Sequence, residues 1–158
     1  MPLSRAHGKT PREPWQYGDM ALKEVKKWIN FRHRLVPYLY HTACQSHQSG
    51  IPMIRPLVME YPKDPIAKIQ NLSYMLGDAL LISPGFDRDE YELYLPEGRW
   101  QDIESKEVYE GMTFVHIENK AFADGGTSLR VFQKEGTSIP LFAQKEVLHV
   151  PAQLLSLI

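Results

Sequence analysis

Six histidines, one cysteine and nineteen acidic residues are the groups with which this chain could do chemistry. Their spacing assembles no catalytic or metal constellation. His33 and His41 stand eight residues apart, about two helical turns, with no acidic third ligand beside them. His41 and His47, six apart, miss a common helix face. All three read as structural or surface histidines. Asp87, Asp89, Glu90 and Glu92 crowd one loop-strand entrance, but the ladder of oxygen ligands that defines an EF-hand is absent, so they read as a solvated loop. Asp64 and Asp78 sit beside turn residues and are expected to hold backbone N–H groups. There is no glycine-rich phosphate loop, no G-x-S-x-G elbow and no Cys/His metal spacing. Nothing in the spacing separates a general acid from a partner base. No cofactor and no metal is expected.

Charge and composition narrow the classes further. Over 158 residues, 43% are apolar and 23% charged, which suits a globular domain. The net charge of −1 leaves no basic footprint for nucleic acid and no polybasic membrane anchor. No run of about eighteen apolar residues could cross a bilayer. Cys44 is alone, so no intrachain disulfide forms, which fits a reducing compartment. No apolar h-region follows Met1, and a cytoplasmic setting is expected.

The elements that must position any site change character at Gly50. Residues 1–18 carry Pro2, Gly8, Pro11, Pro14 and Gly18 and no hydrophobic period, so they read as loop. Asp19 is placed to cap a helix. Leu22, Val25, Ile29, Val36, Leu39 and Ala43 then fall on one helical stripe, and Gly50 with Pro52 supplies a stop. Pro37 has no N–H for the carbonyl of His33, so a kink is expected there in a helix of roughly thirty residues. Ile51 to Tyr61 is apolar on both faces and reads as a buried strand. Ile66 to Met75 reads as a short helix or irregular segment. Ala79 to Ser83 is a second buried strand. Tyr91, Leu93 and Leu95 alternate with Glu90, Glu92 and Tyr94. Short strands are also expected near Trp100, at Val108-Tyr109, and over 113–118, 129–132, 138–142 and 146–150. The fold class is therefore α+β. An N-terminal loop and a long kinked helix precede an antiparallel β-sandwich, with divisions at 1–50, 51–150 and a tail at 151–158.

Six runs in sequence order carry a family resemblance. They are Arg5-Ala6-His7-Gly8, Pro11 to Gly18, Phe31 to Tyr40, Gly50 to Pro65, Met75 to Pro84 and Tyr94 to Trp100. They resemble, respectively, the R-x-H, PREPW-x-[FY]-G, L-R-Y-R-L-L-P-Y-L-Y, G-x-P-x-x-R-P-L-x-x-E-[FY]-P-x-D-P, M-L-G-D-x-L-L-[VI]-[AS]-P and Y-L-P-x-G-x-W segments of glycoside hydrolase family 31, the α-glucosidase and α-xylosidase family. The match covers about Arg5 to Phe142.

The resemblance implies that the first fifty residues are the last loop and helix of a (β/α)8 barrel. The sandwich would pack against that barrel. Barrel sites lie at the C-terminal ends of the strands, so Arg5 and His7 are implied at the rim of a sugar pocket. An imidazole can both donate to and accept from sugar hydroxyls, and a guanidinium offers fixed donors. The family hydrolyses α-glycosides with retention through two Asp residues on earlier strands, and neither has a counterpart here. Leu129 to Pro140 departs from the family pattern, with Arg130, Lys134 and Glu135 at usually small or apolar positions.

The reading is a retaining α-glycosidase fragment without the catalytic pair, inactive by itself. It would meet an α-glucoside or α-xyloside only together with the missing barrel. The exposed helix face would take a partner chain or a second copy. The alternative is a non-catalytic β-sandwich that binds a carbohydrate or a partner, with Tyr91, Tyr94, Trp100 and Tyr109 as a stacking platform.

Overall fold

A computed structural model describes residues 8–85, 90–118 and 129–143. The helical region comes first. A short 3-10 turn, Pro14–Tyr17, leads to α1 (Asp19–Arg34) and α2 (Val36–Ser49). Gly18, at φ 90° and ψ 170°, occupies the N-cap, and its carbonyl accepts the Leu22 N–H at 3.1 Å. Asp19 is thus the first helical residue rather than the cap. It still places a carboxylate at the positive end of the helix dipole.

The expected single helix is two helices, and the break lies at Leu35 rather than Pro37. The Leu35 N–H is shared between the carbonyls of Phe31 (3.0 Å) and Arg32 (3.1 Å), which tightens the last turn of α1. Pro37 becomes the second residue of α2, where a missing N–H leaves no helical bond unmade. The cause is the expected one, since a proline ring cannot sit against the carbonyl four residues back. The chain accommodates it by restarting the helix before the proline.

The strands are β1 (Ile54–Pro56), β2 (Tyr74–Leu76), β3 (Leu80–Pro84), β4 (Glu90–Leu95), β5 (Arg99–Asp102), β6 (Val108–Glu110), β7 (Thr113–Glu118) and β8 (Leu129–Lys134). Among the described residues they form a six-stranded sheet, β1-β2-β3-β8-β5-β6, and a two-stranded sheet, β4-β7. All pairs are antiparallel. In the middle of the large sheet Leu81 stands opposite Phe132 and Ile82 opposite Val131.

Two apolar clusters make three layers. Between the sheets lie Leu57, Met75, Leu81, Tyr91, Leu93, Tyr94, Trp100, Val115 and Phe132 with their neighbours. Between the helices and the other face of the large sheet lie Leu35, Tyr38, Leu39, Leu76, Leu80, Ile82 and Val131. β3 supplies both clusters from alternate residues, which is why it reads as an unbroken apolar run.

Three other expectations change. Ile51 to Tyr61 is not one strand. Only Ile54–Pro56 pairs, and Leu57–Glu60 forms one helical turn, α3. Pro56 removes a donor from the ladder at that point. Residues 138–142 join no strand; they run along α1, where the Phe142 N–H reaches the Arg34 carbonyl at 2.9 Å. The anticipated helical stripe is mostly outward. Leu22 and Ile29 are 37% and 42% exposed, and Leu39 alone of the six is buried. The inward face is Leu35, Tyr38, Leu39 and Thr42, with Trp28 and Phe31 packed at its margin. The strand expected over 146–150 lies outside the described residues.

Candidate functional site

Arg5 and His7 lie outside the described residues. The segment that leads away from them is described, and its contacts show what holds it. A Cβ on Gly8 would collide with the Arg12 guanidinium, so glycine there lets the Arg12 side chain fold back over the backbone. The Gln16 N–H closes the 3-10 turn on the Glu13 carbonyl at 3.0 Å. Glu13 Oε2 is shielded from solvent with no hydrogen-bond partner among the described residues. Trp15 and Tyr17 project from this turn, 62% and 65% exposed. Sequence reasoning placed them in a family motif but gave them no face, because a Pro/Gly-rich segment has no period from which to infer one.

Behind this segment the helices are fixed to the sheet by one tyrosine. Tyr38 Oη donates to the Leu76 carbonyl at 2.7 Å and accepts the Ala79 N–H at 3.0 Å. Thr42 Oγ1 donates to the Tyr38 carbonyl at 2.9 Å. Burial raises the Tyr38 phenol above its usual value, against the pull of the Ala79 N–H. Gly77 turns between β2 and β3 at φ 59°, and any side chain there would strike the Tyr38 hydroxyl. Nearby, Arg55 is buried. Its Nη2 donates to Asp78 Oδ1 at 2.6 Å, and its Nε lies 2.7 Å from Glu60 Oε1 without hydrogen-bond geometry. Asp78 therefore neutralises a buried guanidinium rather than holding backbone N–H groups.

Asp64 does what turn chemistry predicts. Its Oδ1 accepts the N–H groups of Ile66 (2.8 Å) and Ala67 (3.2 Å), and its Oδ2 accepts the Tyr94 hydroxyl at 2.6 Å. Burial alone would raise its carboxyl. The hydrogen bonds from Tyr94, Ala67 and Ile66 outweigh that and hold it below the usual range. For Tyr94, burial first and then the Asp64 bond and charge push the phenol up to about 12.

The remaining acids meet around cations. Glu24 and Glu104 both reach Lys27, at 2.9 and 2.7 Å. Glu110 and Glu135 both reach Arg99, at 2.9 and 2.7 Å. On the outer face of β4 and β7, Glu92 lies 2.8 Å from His116 Nδ1 and Glu90 3.6 Å from Nε2. The Glu92 bond and the flanking acidic charges raise the His116 imidazole against its slight desolvation. A glycosidase needs one carboxyl kept protonated beside one kept ionised. In each of these clusters two acids share one cation or imidazole. No group of three metal-binding side chains occurs among the described residues, and His33, His41 and His47 are exposed on their helices. Asp87 and Asp89 lie outside the described residues.

The stacking platform is not formed. Tyr91, Tyr94 and Trp100 are core, and Tyr109 is half-buried against Phe132. The polar departures in β8 are matched by local partners. Arg130 lies 3.5 Å from the buried Asp102. Lys134 donates to the Tyr61 hydroxyl at 3.1 Å and lies over the Tyr61 and Trp100 rings.

Comparison with known proteins follows the same division of the chain. Residues 50–146 match the model of the glycosyl hydrolase family 31 C-terminal domain, and residues 1–42 match that of the family 31 TIM-barrel domain. A 1,6-alpha-glucosyltransferase of Sporosarcina globispora is 33% identical over 88% of this chain, which spans 11% of that protein. Alpha-glucosidase 2 of Bacillus thermoamyloliquefaciens is 32% identical over 95% of this chain, which spans 19% of it. A Flavobacterium johnsoniae family 31 dextranase, solved with glucose, superposes with a TM-score of 0.74 at 29% identity, covering 89% of this chain and 18% of the dextranase.

Proposed function

This chain belongs to glycoside hydrolase family 31, and from that premise we propose that it is the seam of a retaining α-glycosidase, one that supplies pocket residues and scaffold but not the reacting carboxylates. One observation carries the reading. The barrel-domain match ends at residue 42, inside α2, and the C-terminal-domain match begins at residue 50, the C-cap of the same helix, which Tyr38 holds to the sheet. Retaining cleavage needs two carboxyls about 5–5.5 Å apart, one attacking the anomeric carbon and one protonating the leaving oxygen. Asp64, Asp78, Glu24, Glu104, Glu110 and Glu135 are taken up by cations, a hydroxyl or turn N–H groups. On this reading both reacting carboxyls come from barrel strands outside residues 1–158. Arg5 and His7 stand at the pocket rim and hydrogen-bond sugar hydroxyls, the imidazole donating with one nitrogen and accepting with the other.

The partner face follows from exposure. Trp15, Tyr17, Met20, Leu22 and Ile29 are exposed along the segment that matches the barrel domain, and the remainder of the barrel covers them. The three relatives are a transferase, a glucosidase and a dextranase, so the same seam accompanies different acceptors and linkages. The sugar and acceptor are selected elsewhere. The binding-module alternative loses its main support with the burial of Tyr91, Tyr94 and Trp100.

The test has two arms. Residues 1–158 alone should show no turnover of p-nitrophenyl α-glucoside or α-xyloside; clear hydrolysis overturns the proposal. Co-expression with a family 31 barrel truncated before the matching segment should restore hydrolysis. In that complex His7→Ala should lower kcat/KM by about a hundredfold, as for a pocket hydrogen bond stronger in the transition state.

A further inference from the structure

We propose that the groove between α1 and the large sheet binds a short neutral oligosaccharide. The groove has a volume of about 450 Å³, within the roughly 300–1,000 Å³ of small-ligand sites. Its lining is mixed. Trp28 and Phe31 of α1 supply aromatic surface; both are half-buried, and they meet edge to face with ring centroids 5.9 Å apart. Around them stand Asn30 and Arg34 from α1, Glu104 and Lys106 from the loop after β5, and Gln133 from β8. At about 100° per residue, Leu22 and Ile29 fall on the opposite side of α1. A neighbour that covers those two therefore leaves the groove open.

The polar groups are only partly used, and what they leave is both donor and acceptor. Asn30 makes no side-chain hydrogen bond among the described residues, so its amide offers both. Gln133 Nε2 donates to the Thr137 carbonyl at 2.9 Å, which leaves its oxygen to accept. Arg34 spends Nε on the Phe142 carbonyl at 3.3 Å, and its two Nη groups carry no hydrogen bond among the described residues. Lys106 gives one of its donors to the Ile103 carbonyl at 2.7 Å. Lys27 is spent: Glu24 and Glu104 hold it, and it lies 5.0 Å from the centroid of the Trp28 ring.

This set decides the class of ligand. An apolar molecule would bury these groups without partners, at about 1–3 kcal/mol for each. An anion would suit Arg34 and Lys106, but it would leave the Asn30 and Gln133 oxygens unmet and approach the carboxylates of Glu24 and Glu104. A pyranose ring has C–H groups that cover aromatic surface and a rim of hydroxyls that each donate and accept. A short chain of such rings meets the aromatic pair and both kinds of polar group. Every residue involved belongs to this chain, so the site needs no further barrel strand.

The test uses the full chain, isotopically labelled for NMR, dilute, and titrated with maltotriose. The side-chain amide signals of Asn30 and Gln133 and the indole signal of Trp28 should move together and saturate. They should do so equally at low and high salt, because the ligand carries no charge to screen. Asn30→Ala and Gln133→Ala should each weaken binding about tenfold, read on the remaining signals, as for the loss of one hydrogen bond. Both residues lie outside the described core clusters, so an unchanged unfolding midpoint shows that the fold is intact. Absence of any saturable shift overturns the proposal. So does a saturable shift that Asn30→Ala and Gln133→Ala leave unchanged. Inorganic phosphate moving the same signals at low salt, with maltotriose silent, overturns it in favour of an anion site.

Discussion

At the scale of single residues, Tyr38 and Gly77 illustrate how one side chain joins two parts of the chain. The Tyr38 hydroxyl serves a carbonyl and an N–H from the β2–β3 turn, both buried. Tyr38→Phe keeps the ring and strands those two groups, so it should cost about 2–3 kcal/mol in urea unfolding. Asp64 has a defined pH signature. Its carboxyl is held low in the folded state, so its ionised form favours folding. That contribution is fully present above the ordinary carboxylate value and is lost as pH falls through the folded value. Stability curves of the unmodified chain and Asp64→Asn should therefore differ at neutral pH and begin to converge as pH falls below about 4. His116 has the opposite sign. Its imidazole is raised mainly by the Glu92 bond, so any stabilisation is present below the unfolded value and fades as pH rises through the folded one. An NMR titration should place His116 above about 6.5, and Glu92→Gln should bring it back toward that value. A midpoint unmoved by Glu92→Gln would sink the assignment. Asp64 was legible from its turn, because Asx chemistry is local. Asp78 was not, because its partner Arg55 lies across the fold rather than in the turn.

At the scale of elements, the strands follow their alternation closely and the helices follow theirs only in part. A strand has two faces, and apolar residues on one face leave little choice of orientation. The apolar residues of α1, among them Met20, Leu22, Val25, Trp28, Ile29 and Phe31, spread over more than one narrow stripe. The expected stripe runs from Leu22 and Ile29 through to Leu39, but the break at Leu35 separates α1 from α2, and of that stripe Leu39 is buried while Leu22 and Ile29 are exposed. The inward face of α2 carries Tyr38 and Thr42, whose hydroxyls a hydrophobic template passes over. Trp28 is half-buried at the groove between α1 and the sheet. Trp28→Ala should then cost about 1–3 kcal/mol, less than the 3–5 of a fully buried tryptophan and more than a surface change. Chemical denaturation measures this directly.

At the scale of the whole molecule, an apolar face is exposed along the segment matching the barrel domain. In isolation residues 1–158 should self-associate with rising concentration on light scattering. The double change Leu22→Glu and Ile29→Glu should reduce that association without lowering the unfolding midpoint, since neither side chain is in a described core cluster. A monodisperse monomer before mutation would contradict the prediction. The sequence by itself determined the class change at Gly50, the turns, most strands and the family, because capping, turn chemistry and two-residue alternation act between near neighbours. Arg5 and His7 are proposed as pocket residues from their place in a motif. Only the tertiary structure decided which helix face is covered, that Tyr91, Tyr94 and Trp100 are core rather than platform, and which cation each carboxylate meets. Those outcomes depend on groups far apart in sequence, so no local pattern of polarity or spacing encodes them.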